Sequence, residues 1–93
     1  MLVIAHHFIQ KPEEFWASAQ QVNDSIPSGL RLISVFPSKD LKTGTCVWEA
    51  FNVSEVQNFL DSVLGSMAKN VCYEVNEEIA IGLPQKSMEA AMH

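Results

Sequence analysis

Four stretches of the chain have the apolar, strand-length pattern of β-structure. The runs Leu2–Ile9, Leu30–Phe36 and Thr45–Phe51 are rich in β-branched and aromatic residues and are short for helices. The last stretch runs from Val71 to Val75 and resumes over Ile79–Ile81 after an acidic interruption, which we interpret as a bulge or an exposed strand end. Because a strand with one wet face alternates apolar and polar residues more cleanly, the third run predicts a central strand covered on both faces.

Two segments between these runs have helical spacing. The first begins at Pro12, which needs no backbone donor in a first turn, and carries an apolar residue every three or four positions: Phe15, Ala19, Val22 and Ile26. The second begins after Asn52, with Glu55 three residues on as in a capping box. The order strand, helix, strand, strand, helix, strand predicts an α+β, ferredoxin-like βαββαβ fold. Its four-stranded antiparallel sheet carries both helices on one face.

The chain of 93 residues is long enough for one hydrophobic core but not for two. We therefore predict a single ferredoxin-like domain over residues 1–84 and a short C-terminal tail over residues 85–93. Hydrophobic residues make up 47% of the chain, so the sheet face opposite the helices is too apolar to be wholly wet. A second copy packed sheet to sheet covers that face, and we expect a homodimer.

The formal net charge of -5 argues against two classes of partner. Nucleic acids and anionic membranes are bound through clustered cations, and the chain has only 6 Lys and Arg residues. No apolar run approaches the roughly 20 residues that span a bilayer, and the first residues lack a signal-peptide pattern, so we expect a cytoplasmic protein. Cys46 and Cys72 lie in apolar segments without CxxC spacing, which favours two buried, reduced thiols.

His6 and His7 are the first candidates for chemistry. A neutral imidazole ligates transition metals, and its pKa suits proton transfer near neutrality. Neighbouring side chains on a strand point to opposite faces, so the two histidines cannot hold one ion together unless the strand is broken there. The alternative is one histidine hydrogen-bonded in the core and the other at an interface.

Glu49 is a carboxylate in the middle of the predicted central strand. A buried carboxylate needs a partner or a cavity, so Glu49 is a candidate general base or metal ligand beside a first-strand histidine. The alternative is an ion pair with Arg31 or a lysine. Trp48 and Tyr73 each offer a flat apolar surface with one polar group, which suits a ligand pocket as well as a core or an interface.

The residues also carry a resemblance to a known group of proteins. The stretch Cys46–Ala50 has the form Cys-x-x-Glu-Ala, the pair His6 and His7 lies on the first strand, and a late Tyr-Glu-Val begins at Tyr73. This pattern resembles the dimeric α/β-barrel superfamily of ferredoxin-like proteins, and within it a set of small proteins of mostly unknown function, some of which bind nickel. The superfamily also includes cofactor-free monooxygenases, small isomerases and proteins without known activity, so the fold alone does not select a function.

We expect a small homodimeric protein that binds a small molecule or a metal ion in a largely apolar cavity. The candidate ligand-binding residues are His7, Trp48, Glu49 and Tyr73, and the candidate ligands for a divalent transition metal are His6, His7 and Glu49. One alternative is a cofactor-independent monooxygenase or isomerase acting on a small hydrophobic substrate, with a first-strand histidine as acid/base and Glu49 or Tyr73 assisting. Another alternative is a structural or interaction module.

Overall fold

The computed structural model describes residues 1–84 and has the predicted order of elements. The four strands are β1 (Leu2–Ile9), β2 (Arg31–Pro37), β3 (Thr43–Glu49) and β4 (Ala68–Glu74), and the two helices are α1 (Pro12–Asp24) and α2 (Val53–Leu64). The strands form one antiparallel sheet in the order β2-β3-β1-β4. This arrangement confirms the ferredoxin-like fold. The predicted tail, residues 85–93, lies outside the described residues.

Both helices begin where the sequence predicts. Pro12 occupies the first turn of α1, and Glu13 and Glu14 complement the positive end of the helix dipole. The side-chain oxygen of Asn52 accepts a hydrogen bond from the backbone N–H of Glu55 at 2.8 Å, which confirms the cap of α2. Gly65, at a φ of 54°, ends α2 in the left-handed region.

The last strand differs from the prediction. It begins at Ala68, three residues before the predicted start, because α2 ends at Leu64 and a single 3-10 turn, Gly65–Met67, leads directly into it. The predicted strand segment at Ile79–Ile81 is wrong, since no strand follows Glu74 within residues 1–84. Asn76 makes the turn instead: its side-chain oxygen accepts the N–H of Glu78 at 3.1 Å, and its carbonyl accepts the N–H of Ala80 at 3.2 Å.

The helices cover one side of the sheet. Val3, Ala5, Cys46 and Trp48 point to this side and pack with buried residues of the helices, namely Phe15, Val56, Leu60 and Leu64. Burial along β3 alternates between buried and half-buried residues, so within one subunit this strand is covered on one side rather than on both. The single covered side is therefore where the hydrophobic core lies.

The other side of the sheet, which we call the open face, exposes large apolar side chains. These are Phe36, Tyr73, Phe8 and Val71, with exposed fractions of 60%, 55%, 45% and 42%. Three strands contribute at least one of them, so the apolar surface extends across the sheet. Within the described part of the chain, no helix has the length and apolar character needed to cross a membrane.

Trp16 connects α1 to the β2–β3 hairpin through a hydrogen bond and a packing contact. Its indole N–H donates to the carbonyl oxygen of Leu41 at 2.9 Å, and Leu41 adopts a φ of 66° in the loop. The indole ring also lies against Gly44, where a Cβ would come within 3.1 Å of Trp16 Cη2. Glycine at position 44 therefore allows the close approach of helix and hairpin.

Candidate functional site

A cavity of about 60 Å³ lies between α1 and the helix-facing side of the sheet. Most of its walls are apolar, and its polar lining residues are His7, Cys46, Asn23 and the two tryptophans. None of the described lining residues carries a permanent charge. An apolar cavity with a few polar groups is the usual composition of a small-molecule site.

The position of the cavity follows from the uneven packing of the two helices. Helix α2 buries three apolar residues against the sheet, Val56, Leu60 and Leu64, whereas α1 buries only Phe15. The apolar face of α1 therefore leaves part of the sheet beneath it uncovered. Exposed lining residues, among them Ala19 and Asn23 of α1 and Val35 of β2, mark an opening between these two elements.

His7 lies at the inner end of this cavity. It points from β1 toward the helices and is buried, with its ring tilted against Phe15 at a centroid distance of 5.4 Å. Its Nδ1 lies 2.7 Å from Oδ1 of Asn70 on β4, and its Nε2 lies 3.3 Å from Sγ of Cys46 on β3. The register explains this contact set, because His7 pairs with Asn70 on one side and with Gly44 on the other.

The hydrogen bonds continue from Asn70 to helix α2. The side-chain N–H of Asn70 donates to Oδ1 of Asp61 at 3.0 Å, and Nε2 of Gln57 donates to the same oxygen at 3.1 Å. Gln57 also donates to the backbone carbonyl of Asn70 at 2.8 Å and accepts from the N–H of Cys72 at 3.2 Å. These bonds hold the Asn70 side chain in place on β4. Asn70 in turn holds the imidazole ring of His7.

Burial keeps both reactive groups of the cavity uncharged. Desolvation lowers the pKa of His7 below its ordinary value of 6.5, although the hydrogen bond with Asn70 opposes this effect. Burial raises the pKa of the Cys46 thiol to about 12. At neutral pH the pair is therefore a neutral imidazole beside a neutral thiol, and a thiol in this state is a poor nucleophile.

The two cysteines do not form a disulfide. Cys46 and Cys72 are both register partners of Ala5, on opposite sides of β1, so their Cα atoms are separated by two strand spacings, or roughly 9.5 Å. A disulfide requires a Cα separation of at most about 6.8 Å. Both thiols are accordingly free, as the sequence predicts, but only Cys46 is buried, whereas Cys72 is half-buried.

Trp48, one of the lining residues of the cavity, has a buried donor without a partner. The residue is 1% exposed, and its indole Nε1 has no hydrogen-bond partner among residues 1–84. Its ring packs edge to face on Phe59 at a centroid distance of 6.0 Å. A buried donor without a partner destabilises the folded state by about 1–3 kcal/mol.

The structure divides the predicted ligand-binding residues between the two sides of the sheet. His7 and Trp48 line the cavity, whereas Glu49 and Tyr73 lie on the open face. Glu49 Oε1 accepts from Nε of Arg31 at 2.9 Å, which is the ion pair considered as the alternative in the sequence. The four residues therefore do not form one site within a subunit.

The predicted metal ligands are not brought together either. His6 lies on the open face with its Nδ1 3.0 Å from Thr45 Oγ1, and His7 points to the opposite side, because β1 is unbroken. Glu49 pairs with Leu2, four residues along β1 from His6, which is roughly 13 Å. Residues 1–84 contain no group of three or more His, Cys, Asp or Glu side chains placed to hold a metal ion. The residues suggested by the resemblance to nickel-binding proteins thus do not fit a metal in one subunit.

Sequence reasoning did not find the partners of His7. The sequence pattern singled out none of Asn70, Asp61 and Gln57 as a candidate site residue. The alternation of β1 gives the side of the sheet that His7 faces, but the residue opposite it depends on a register between strands 63 positions apart.

The comparisons with known proteins add no family to this description. No protein-family model matches the chain, and neither a curated protein nor a solved structure matches it.

Proposed function

We propose that this protein binds a small, mainly apolar molecule in the cavity under α1. The observation that carries the proposal is the buried indole N–H of Trp48, which lacks a partner among residues 1–84 although the residue lines an apolar cavity. A ligand oxygen that accepts this bond removes the desolvation penalty of the donor. The apolar walls contributed by Phe15, Leu60 and Leu64 favour the remainder of such a ligand.

The volume of the cavity limits the ligand and gives α1 a role. About 60 Å³ is less than the roughly 150 Å³ of a cavity that admits benzene, so a ring-sized ligand requires α1 to move outward. This helix is suited to such a movement because Phe15 is its one fully buried residue, while Trp16 and Val22 are only partly buried against the core.

We also propose that two copies associate through the open face, as in a dimeric α/β barrel. Large apolar side chains cover this surface, from Phe36 on β2 through Phe8 on β1 to Val71 and Tyr73 on β4. An exposed apolar surface of this kind is typical of an interface. A second open face has the same composition, so a two-fold arrangement covers both patches. A cytoplasmic location stays a prediction from the sequence.

Ala19 and Ala17 provide a matched test of the binding proposal. Both are exposed alanines of α1, but only Ala19 lines the cavity. We expect phenol, used as the probe, to stabilise the wild type and Ala17→Phe against urea, by about 2.7 kcal/mol at a hundredfold excess over Kd. Ala19→Phe fills the opening, so phenol should not stabilise this variant. Equal stabilisation of all three proteins, or of none, contradicts the proposal.

Catalysis on the bound molecule is a second candidate function. It is favoured by His7, a neutral imidazole beside an apolar cavity with a single weak partner, the Cys46 thiol, at Nε2. A cofactor-independent isomerase or monooxygenase uses such a base to remove a proton from its substrate. Glu49 and Tyr73 are not part of this proposal, because they lie on the other side of the sheet.

An enzyme, a binding protein and an interaction module differ in how they respond to a blocked cavity. Loss of the cellular role in Ala19→Phe favours the first two, whereas a role that survives in this variant favours a module that acts through its surface. Conversion of a ligand that is bound stoichiometrically distinguishes the enzyme from the binding protein.

A further inference from the structure

The hydrogen bonds around His7 determine which of its ring nitrogens carries the proton. The carboxylate of Asp61 only accepts hydrogen bonds, so the Asn70 atom 3.0 Å from it is the amide nitrogen. The amide oxygen of Asn70 then faces His7, at 2.7 Å from Nδ1. Because this oxygen also only accepts, Nδ1 of His7 is the protonated nitrogen.

The other ring nitrogen is consequently an acceptor. In a neutral imidazole only one nitrogen carries a proton, so Nε2 of His7 presents a lone pair toward Cys46. Burial keeps the ring neutral by lowering its pKa, and this maintains the acceptor at neutral pH. Asp61 and Asn70 therefore act as positioning residues: they determine that Nδ1 of His7 is the hydrogen-bond donor and Nε2 the acceptor.

The present partner of this acceptor is easily replaced. A thiol is a weak hydrogen-bond donor, and Sγ of Cys46 lies 3.3 Å from Nε2. A hydroxyl forms a stronger bond to an imidazole nitrogen than a thiol does. The hydrogen bond from a ligand hydroxyl to Nε2 of His7 is thus stronger than the bond from the Cys46 thiol that it replaces.

We propose that the molecule bound in this cavity is neutral and carries a hydroxyl group, which donates a hydrogen bond to Nε2 of His7. This inference rests on the proposed function and specifies its ligand class. Carboxylates and phosphates do not fit, because His7 offers them no proton and no charged side chain lines the described cavity. Ligands whose only polar group is an acceptor gain nothing from His7.

The protonation of His7 can be measured without a ligand. ¹⁵N spectra of the histidine rings distinguish a protonated from an unprotonated nitrogen, and we expect Nδ1 to be protonated and Nε2 to be unprotonated at pH 7.5. Asp61→Asn removes the constraint on the Asn70 amide, so a fraction of His7 should shift its proton to Nε2. Glu55→Gln, another exposed acid of α2 without a bond to Asn70, should leave the spectrum unchanged. Protonated Nε2 in the wild type overturns the inference.

Phenol and its methyl ether, anisole, test the ligand class directly. We expect the ratio of phenol affinity to anisole affinity to be roughly three- to tenfold higher in the wild type than in His7→Phe, which keeps a ring but has no acceptor. If His7→Phe does not fold, the same ratio is measured in Asp61→Asn, where it should fall in part. Equal ratios in the wild type and the variant overturn the inference but leave the binding proposal intact. If neither probe binds the wild type, both proposals fail together.

Discussion

Arg31 and Glu49 face each other across β2 and β3, and Nε of Arg31 donates to Oε1 of Glu49 at 2.9 Å. The pair lies on the open face and is partly exposed to water within one subunit. It accounts for a carboxylate that the sequence placed in the middle of the strand and that the structure places at the end of β3. The sheet separates this carboxylate from the cavity.

Glu49→Gln should therefore have a small effect. The ion pair is partly exposed, so its loss should lower the free energy of unfolding of the subunit by at most about 1 kcal/mol. Phenol affinity should stay within twofold of wild type, because Glu49 and the cavity lie on different sides of the sheet. Urea unfolding and calorimetric titration measure the two quantities. A tenfold loss of affinity would place Glu49 in the site after all.

Gly44→Ala should destabilise the fold through Trp16. The new Cβ would lie 3.1 Å and 3.3 Å from two atoms of the indole ring, which the bond to Leu41 holds in place. Overpacking of this kind costs about 1–3 kcal/mol, partly offset by the lower entropy of the unfolded chain, so we expect a net loss of about 1–2 kcal/mol in urea unfolding. The loss should largely disappear in a Trp16→Leu background. Equal losses in both backgrounds would show that the ring is not the cause.

His7 should make stability depend on pH below neutrality. Its pKa in the folded protein is lowered below 6.5 by burial, so the unfolded chain takes up a proton that the folded chain does not. The contribution of His7 is complete above pH 6.5 and is lost as the pH falls toward the lowered pKa. We expect His7→Gln to have a flatter stability profile than wild type between pH 7.5 and 5. If the free energy of unfolding changes with pH in the same way in the wild type and in His7→Gln, His7 is not the source of the pH dependence.

Val71→Lys should prevent formation of the proposed homodimer. Val71 lies opposite His6 on the open face and is 42% exposed in one subunit, so a lysine there places a charge in the proposed interface. We expect the mass from light scattering to fall from two chains to one at micromolar concentration. Asn58→Lys adds the same charge on the exposed side of α2 and should remain dimeric. A monomeric wild type would remove the basis of the dimer proposal.

The fold could be predicted because its signals are local. The spacing of Phe15 and Val22, the proline at the start of α1 and the Asn52 cap each depend on residues within a few positions. The error at Ile79–Ile81 has a local origin too: apolar residues suggest a strand, but the Asn76 turn takes the chain away from the sheet. Apolar composition did not reveal that turn.

The site could be predicted only in part. Alternation along a strand places His7 and His6 on opposite sides, and the aromatic character of Trp48 indicates a pocket or a core. The contacts of His7 with Asn70 and Cys46 depend on strand register, and the missing partner of the Trp48 indole depends on the packing of α1. Neither property is encoded by residues near each other in the chain.

The most direct test of the account is the indole N–H resonance of Trp48, followed in a ¹H–¹⁵N correlation spectrum while phenol is added. The chain has only two tryptophans, and the resonance of Trp48 is distinguished from that of Trp16, which also lines the cavity but is bonded to Leu41. The account predicts that the Trp48 resonance moves saturably in the wild type and in Ala17→Phe, and not in Ala19→Phe. A Trp48 resonance that does not move in the wild type, or that moves equally in Ala19→Phe, would contradict a ligand site under α1.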